Sequence, residues 1–373
     1  MPGSFKIGKY GGVDVSVHWS WVIIFLLITW SFAEGILTIF DWTATQRWVA
    51  GGFISLVFFA SLLMHELAHS WVARGRGVDV RGITLFLFGG VSNLKGEPKS
   101  AEDEFVIAIV GPLTSLGMGL VFAIGWAVLQ FWNSGVAGIS ANLAVLNAVI
   151  AAFNLLPGFP LDGGRVFRSL LWWRKKNLLA ATRTASRVGE YFSYGLMGVG
   201  VIFFLFGNLI GGIWLFVIGL FLRSASLGSY QQTLAQVTLA GMTAGQAART
   251  DCEIVSPDTS LEQLVDGYIL PRNVRCFPIQ RDGQLLGLVT LEDVRRVPRD
   301  EWATTSVSKT MTAFDRLHAV SREEDLRRVV QIMSEEDVNQ VPVVEGDRLV
   351  GLISRSDIMR LLKIRQDLAE EAQ

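Results

Sequence analysis

Two histidines and one glutamate stand close together in His65-Glu66-Leu67-Ala68-His69, inside an apolar run from Trp48 to Ala73. At helical pitch the two imidazoles lie one turn apart on one face, and the carboxylate points to the same side. Imidazole nitrogens bind zinc, and a carboxylate beside the metal can take the proton of an attacking water. The spacing therefore predicts metal-assisted hydrolysis, with His65 and His69 as zinc ligands and Glu66 as the general base.

The apolar surroundings of this motif strengthen the prediction. Glu66 is the only acid in the run. An ionisable side chain in a bilayer core costs free energy, so one that is found there usually has a function. The chain has only 4 histidines. A chance pair of packed histidines at this spacing is therefore the weaker alternative.

A catalytic zinc takes three protein ligands and keeps a fourth position for water. The best candidate for the third ligand is Asp162, in the segment NLLPGFPLDGGR of residues 154–165. Asp162 is the only acid between Glu104 and Glu190. The prolines and paired glycines interrupt the helix there, as expected of backbone that lines a cavity. Capping of the next helix by Asp162 is the alternative role, and His18 is a rival ligand.

Asn154 lies upstream of Asp162 in the same apolar run. A buried amide must be hydrogen-bonded. If it faces the metal, it can hold substrate backbone or the developing oxyanion, but a hydrogen bond between helices explains it equally well. The sequence leaves both roles open.

The composition is that of a membrane protein with a soluble part. The chain has 373 residues, of which 50% are hydrophobic and 18% charged, and its mean hydropathy is +0.39. The formal net charge is −1 and there is no basic tract, so no nucleic-acid partner is expected. The two cysteines, Cys252 and Cys276, do not make a disulfide framework and are expected as reduced thiols.

Six apolar stretches are long enough to cross a bilayer, which takes about 20 residues each. They run over His18–Ile39, Trp48–Ala73, Phe105–Phe131, Ile139–Leu156, Tyr191–Phe206 and Leu209–Leu222. No small-residue cleavage site closes the first, so we expect a retained helix rather than a signal peptide. Lysines and arginines concentrate before the first span, between the second and third, between the fourth and fifth, and after the sixth. This distribution predicts that both termini are cytoplasmic.

Between the second and third spans, residues Arg81–Val91 are rich in strand formers and interrupted by Gly89-Gly90. The segment is too short to cross a bilayer. It predicts a membrane-associated β-hairpin, at the interface or dipping into it. An amphipathic surface loop is the alternative.

After residues 1–223, which we assign to the membrane domain, the composition becomes that of a soluble domain. An Ala/Gln/Thr-rich connector, residues 224–240, leads into an internal duplication. Residues 277–279 and 287–294 recur as residues 341–343 and 351–358 at a constant offset. The repeat predicts two copies of one small α/β unit packed as a pair, residues 241–300 and residues 301–373 with a C-terminal helix.

Each copy places a hydroxyl and a carboxylate where a strand meets a helix: Thr290 and Asp293 in the first copy, Ser354 and Asp357 in the second. A carboxylate in such a cleft can accept hydrogen bonds from ribose hydroxyls. Helix capping is the alternative, and no Gly-rich phosphate loop accompanies these residues. Nucleotide binding is thus one of two open interpretations.

Four motifs together resemble the site-2 protease family of intramembrane zinc metalloproteases. They are HELAH at residues 65–69, FGGV at 88–91, GP at 111–112 and the long segment at 154–165. The resemblance covers about Phe5 to Leu222, and the tail from about Gly241 to Lys363 is similar to a tandem pair of cystathionine-β-synthase (CBS) domains. The implied fold is a multi-span α-helical membrane protein, with six transmembrane helices and a membrane-associated β-hairpin, followed by a cytoplasmic α/β CBS-domain pair.

The resemblance implies one catalytic Zn²⁺ held by His65, His69 and Asp162, with Glu66 as the general base. It also implies that Asn154 contacts substrate near the scissile bond. The hairpin at Gly89, Gly90 and Val91 is implied to bind an unwound substrate as an added strand. For the tail it implies that AMP, ADP or ATP binds through the two hydroxyl–carboxylate pairs.

The leading hypothesis is an intramembrane zinc endopeptidase. It would cut a transmembrane segment of a single-span partner near the cytoplasmic face and release a fragment such as a regulatory factor or its inhibitor. Adenine nucleotides at the CBS pair would modulate access to the zinc, with homodimerisation through that pair as the alternative role. The second hypothesis is a CBS-gated metal transporter or channel without protease activity. It predicts ionisable groups spread over the bilayer depth, whereas here they gather at one level.

Overall fold

Long helices make up most of the N-terminal part of the chain. In the computed structural model, which describes residues 3–87, 89–95, 98–272 and 274–370, the chain divides into two units, Met1–Thr233 and Leu234–Gln373. The helices that begin in the first unit are α1 (Ser20–Glu34), α2 (Ala44–Gly75), α3 (Ala101–Leu129), α4 (Ser134–Asn154), α5 (Asp162–Lys175), α6 (Leu178–Leu205) and α7 (Leu209–Leu239). All of them except α5 are long and apolar enough to cross a membrane, which gives 6 candidate spans among the described residues, as predicted.

These helices turn large apolar side chains outward and small or polar side chains inward. On α2, Phe53 and Leu56 are exposed, whereas Ser55 and Ser61 are buried. Lipid solvates apolar side chains about as well as protein does, so helices in a bilayer associate through small residues and polar hydrogen bonds. Asn147 of α4 makes such a bond, donating from Nδ2 to Ser61 Oγ at 3.3 Å. The pattern is that of a membrane-embedded bundle.

The helices extend beyond the apolar stretches at their charged ends. Helix α6 begins at Leu178 rather than at the predicted Tyr191, and it includes Arg183 and Arg187. Helix α7 continues through most of the predicted connector to Leu239. An apolar window ends where charged residues begin, whereas the i to i−4 hydrogen bonds of a helix pass through them.

A four-stranded sheet packs against the helices of the first unit. Its strands are β1 (Ser4–Tyr10), β2 (Val13–His18), β3 (Asp79–Phe86) and β4 (Gly89–Lys95), in the order β1-β2-β3-β4. Strands β3 and β4 form the antiparallel hairpin that the sequence predicts between the second and third spans. Strand β2 runs parallel to β3, so this hairpin is half of a larger sheet. Phe88, which lies between the two strands in the sequence, is outside the described residues.

The β1–β2 hairpin is not among the elements predicted from the sequence. Its turn is Gly11-Gly12, with φ of 56° and 84°, which suits a two-residue hairpin turn. Alternating Val13 and Val15, both fully buried, follow it. These features are the signal from which the hairpin could have been predicted. His18, expected at the start of the first span, instead ends β2, because the sheet takes up the residues before α1.

The second unit contains two copies of one small α/β fold, as the duplication predicts. The first sheet has the order β5-β6-β7 and the second β10-β9-β8. The strands are β5 (Cys276–Arg281), β6 (Gln284–Thr290), β7 (Thr312–Ala313), β8 (Val320–Ser321), β9 (Gln340–Glu345) and β10 (Arg348–Ser354). The helices are α8 (Ala244–Ala247), α9 (Leu261–Leu264), α10 (Leu270–Arg272), α11 (Leu291–Arg295), α12 (Val307–Thr310), α13 (Leu326–Glu335) and α14 (Arg355–Glu370). Phe277 pairs with Val289 in the first copy as Val341 pairs with Ile353 in the second.

Candidate metal centre

Two side chains of α2 and a third from a distant part of the chain converge at one point inside the first unit. His65 Nε2 lies 3.0 Å and His69 Nε2 lies 3.1 Å from Asp162 Oδ2, and the two Nε2 atoms are 3.1 Å apart. Both imidazoles are buried and the carboxylate is half-buried. Ligands bound at about 2.0–2.1 Å in tetrahedral geometry stand about 3.3 Å apart, so this triangle has the size of a zinc ligand set. The structure thus brings together the three residues predicted as ligands.

The outer nitrogens of both imidazoles have partners that orient the inner nitrogens. His69 Nδ1 donates to the Ile107 carbonyl at 2.6 Å, and His65 Nδ1 contacts Ser115 Oγ at 2.9 Å. A carbonyl only accepts, so the proton of a neutral His69 is on Nδ1 and its Nε2 carries a bare lone pair. That lone pair faces a carboxylate oxygen and a second imidazole. A cation stabilises such a group of acceptors, so the residues present fit a bound metal ion.

Helix α3 approaches the two imidazoles through Gly111. A Cβ at this position would lie 2.6 Å from His65 Nε2 and closer still to His69 Nε2. Only a residue without a side chain lets the backbone pass so near. Gly111, part of one of the four motifs that carry the family resemblance, therefore borders the ligand atoms.

Asp162 reaches the histidines because a non-helical loop, residues 155–161, turns the chain back between α4 and α5. A Cβ at Gly163 or Gly164 would overlap the backbone of that loop, so the paired glycines permit the tight return. Among the described residues, the carboxylate contacts the histidines, and the residue before it, Leu161, is the N-cap of α5. The alternative role of Asp162, capping α5, is therefore not what the structure shows.

Strand β4 covers the carboxylate of Glu66. Ser92 Oγ donates to Glu66 Oε2 at 2.8 Å. A Cβ at Gly90 would come within 2.5 Å of Glu66 Cγ and 3.0 Å of its Cδ. Gly89, with φ of 127°, and Val91 flank this contact. The predicted hairpin is thereby next to the predicted general base.

Asn154 and His18 are not joined to the ligand set. Asn154, the last residue of α4, donates from Nδ2 to the Ile150 carbonyl of its own helix at 3.1 Å. In the described part of the chain this bond is neither of the two roles that the sequence leaves open. His18 Nδ1 lies 2.8 Å from Ser20 Oγ, and the ligand cluster does not include it.

Ser92, Ser115 and the Ile107 carbonyl are functional groups that sequence patterns did not identify. Serines and backbone carbonyls have no spacing signature of their own. A signal exists for Ser115 alone: it lies one helical turn after Gly111, so both are on the same face of α3.

In the second unit, the four residues that the sequence predicts as nucleotide-binding form helix caps. Asp293 Oδ2 accepts from Thr290 N at 2.9 Å and from Thr290 Oγ1 at 2.7 Å, while Asp293 N donates to Thr290 Oγ1 at 3.3 Å. Ser354 and Asp357 repeat the arrangement, with Ser354 N donating to Asp357 Oδ2 at 3.0 Å. The capping alternative is therefore formed in both copies through Oδ2 of each carboxylate, and Asp293 Oδ1 lies 3.8 Å from Arg296 Nη1.

A cleft of about 270 Å³ opens beside the first of these pairs. The charged residues that line it are Arg249, Asp251, Glu253 and Arg272. Cys276 also lines it and pairs across the sheet with Thr290, so the cleft borders the first pair. Burial raises the pKa of the Cys276 thiol to about 12. The cleft therefore offers charges of both signs beside a neutral thiol.

Known proteins match both units. The model of peptidase family M50 matches residues 53–133 and 127–196, and the CBS domain model matches residues 244–300 and 307–364. Rip3 of Mycobacterium tuberculosis, which bears a zinc metalloprotease name, is 34% identical over 369 residues, covering 98% of this chain and 94% of Rip3. The similarly named sll0528 of Synechocystis is 30% identical over 366 residues, 97% of this chain and 96% of that protein.

A solved structure, the site-2 protease from Methanocaldococcus jannaschii, has 30% sequence identity and covers 61% of this chain and 95% of its own, with a TM-score of 0.42. Relatives of at least 30% identity extend over nearly the whole length of this chain. Such identity over both units shows common descent of the entire protein. The chain therefore belongs to peptidase family M50, the site-2 proteases, and is a zinc metalloprotease of that type with a C-terminal CBS pair.

Proposed function

We propose that this protein is an intramembrane zinc endopeptidase in which His65, His69 and Asp162 hold the metal and Glu66 is the general base. One observation carries the proposal: two Nε2 atoms and one carboxylate oxygen lie within 3.0–3.1 Å of each other on helices of an apolar bundle. The family acts on membrane proteins within the bilayer. In this protein both histidines are on α2, a helix long and apolar enough to cross a membrane.

The protein's own groups prepare the reaction around the metal. A zinc ion held by His65, His69 and Asp162 would act as a Lewis acid and would make water at the site more acidic, with a pKa near ~7. Glu66 accepts the proton of the attacking water and delivers it to the leaving amine. Ser92, donating to Oε2, holds the Glu66 carboxylate in place for both transfers. Ile107 and Ser115 hold the imidazoles so that both Nε2 atoms lie beside the Asp162 carboxylate, where these three side chains would hold the ion.

The substrate is proposed to bind as an unwound segment along β4. This strand is at one edge of the four-stranded sheet, and Gly90 brings it against Glu66. A transmembrane helix has all its backbone hydrogen bonds inside the helix, so it must unwind before a peptide bond can be attacked. An added strand beside Gly89, Gly90 and Val91 would satisfy the freed backbone groups. Asn154 would contact the substrate after exchanging its bond to Ile150.

We further propose that both termini and the CBS pair are cytoplasmic, since the cationic loops lie on that side under the positive-inside rule. The site would then be toward the cytoplasmic end of α2. Cleavage there would release a cytoplasmic fragment of a single-span partner, such as a regulatory factor or its inhibitor.

The CBS pair is proposed to bind AMP, ADP or ATP and to modulate proteolysis. Thr290, Asp293, Ser354 and Asp357 would take part through the groups that capping leaves available, and the charged cleft beside Cys276 supports a polar ligand. Isothermal titration of the full chain with the three nucleotides tests this, and the absence of saturable heat with all three would contradict it. Homodimerisation through the pair is a second proposed role, which analytical ultracentrifugation in detergent would test.

Glu66→Gln tests the protease function. The change removes the base but none of the proposed ligands, so cleavage of a single-span reporter in liposomes should stop while zinc content is kept. Glu34→Gln, at the exposed end of α1, is the matched control and should cleave normally. Continued cleavage by Glu66→Gln would show that Glu66 is not the general base.

Uptake of metal into liposomes without any proteolysis would instead favour a transporter. Comparison of membrane proteomes with and without Glu66→Gln would then identify the retained substrate.

A further inference from the structure

A buried ion pair lies near the metal centre in the first unit. Glu104 of α3 is 0% exposed and Arg168 of α5 is 5% exposed. Arg168 Nε donates to Glu104 Oε1 at 2.6 Å, and Arg168 Nη2 contacts the same oxygen. Removing two charges from water costs free energy that their attraction only partly returns, so a well-packed apolar pair is often as stable. The geometry that the ion pair imposes is the better explanation for its presence.

Arg168 connects several elements at one guanidinium. Its Nη1 lies 3.4 Å from Thr182 Oγ1 on α6 and 3.4 Å from Thr233 Oγ1 on α7. The guanidinium carbon is 5.1 Å from the centre of the Phe159 ring, which belongs to the loop that leads into α5. The rigid planar fork of arginine can satisfy such divergent partners at once, whereas lysine cannot.

Each member of the ion pair shares a helix with a group of the metal centre. Asp162 begins α5, and Arg168 follows it on the same helix, about 9 Å further along the axis at 1.5 Å per residue. Glu104 lies one turn before Ile107, whose carbonyl holds His69 Nδ1. The separation of α3 from α5 therefore decides whether the Asp162 carboxylate meets both imidazoles.

We propose that Glu104 and Arg168 are positioning residues that set the geometry of the zinc ligand set. The inference rests on the proposed function, in which Asp162 is a zinc ligand. Loss of the Arg168 guanidinium would take from the buried Glu104 carboxylate the cation in closest contact with it and leave Arg165 Nε 4.0 Å from Oε1, and α5 would shift to bring a cation closer. The aspartate would then move away from the histidines, although none of the three ligands is altered.

Zinc affinity of the full chain, purified in detergent and measured by chelator competition, tests the proposal. Partners outside the ligand shell typically change metal affinity about 10–100-fold, so Arg168→Met should raise the zinc Kd by a factor in that range. Arg168→Lys keeps a charge facing Glu104 but not the fork, so it should recover part of the affinity. Glu104→Gln should also raise the Kd. An unchanged Kd in these three variants would overturn the proposal.

Two controls separate positioning from general destabilisation and from failure of the ligand assignment. A Cβ at Gly200 would lie 2.8 Å from the Gly212 carbonyl, so Gly200→Ala should loosen α6 against α7, lower the melting temperature and leave the zinc Kd unchanged. An equal rise of the Kd in Gly200→Ala, at equal loss of melting temperature, would refute the positioning role.

Asp162→Ala removes a proposed ligand and must lose zinc. If Asp162→Ala retains zinc, the proposed function is refuted. If Asp162→Ala loses zinc but Arg168→Met binds zinc with normal affinity, only the positioning role is refuted. If Arg168→Met does not fold, Arg168→Lys and Glu104→Gln carry the test under the same criteria.

Discussion

Gly111→Ala is the substitution that tests the metal centre most directly, because it adds one methyl group and alters no polar atom. The new Cβ would lie 2.6 Å from His65 Nε2. A comfortable contact of a carbon with a heavy atom is about 3.5 Å, and the Cβ would be nearer still to His69 Nε2, so the imidazoles or α3 must move by at least ~0.9 Å. Metal–ligand distances tolerate only about 0.2 Å. The bound ion would therefore lose at least one ligand.

We expect Gly111→Ala to lose most of its zinc. It should also cleave a single-span reporter in liposomes at least ~100-fold more slowly, because a misplacement of about 1 Å can cost an enzyme a factor of this size in rate. Zinc content is measured by elemental analysis of the purified protein. Gly117→Ala is the matched control. It lies on the same helix, a Cβ there would meet nothing within 4 Å, and it should keep zinc and activity.

Melting temperatures of both variants distinguish a local effect from loss of fold. The expected result is a folded Gly111→Ala protein with little zinc. A folded variant that retains a full equivalent of zinc and normal cleavage would refute the packing of α3 against the two imidazoles.

Three further results are expected. Ser115→Ala removes the partner of His65 Nδ1 and should weaken zinc binding about 10–100-fold in chelator competition; unchanged affinity would show that this contact does not orient the ring. Gly90→Ala should lower kcat while zinc is retained, because its Cβ would lie within 2.5 Å of Glu66 Cγ. A loss of zinc as large as the loss of kcat would indicate that the substitution also distorts the metal ligands. The Cys276 thiol, with its pKa raised by burial to about 12, should have about a thousandfold less thiolate at pH 8 than a free thiol. In a variant without the other cysteine, alkylation by iodoacetamide should therefore be slow, should quicken about tenfold per pH unit, and should become rapid in denaturant. Rapid alkylation of the folded protein at pH 8 would contradict this.

Features that depend on local spacing could be predicted from the sequence. His65, Glu66 and His69 lie within little more than one turn of α2, so helical pitch alone places them on one side. The six spans follow from apolar length, and the paired α/β units follow from a duplication with constant offset. The β3–β4 hairpin follows from strand formers around a glycine pair.

Other features depend on which helices and strands pack together. The aspartate that completes the triangle is 97 residues from His65 and 93 from His69, and the sequence could offer it only as the best remaining acid. The fit of Gly111 to the imidazoles, the bond from Ser92 to the general base and the joining of the N-terminal hairpin to β3 have no spacing signature.

The physical reason is the range over which each constraint acts. Helical pitch and strand alternation are properties of a short backbone segment, so its own residues reveal them. The distance between two helices results from side chains that many segments contribute, including the buried pair of Glu104 and Arg168. Which donors meet at one point is therefore decided when the whole unit packs.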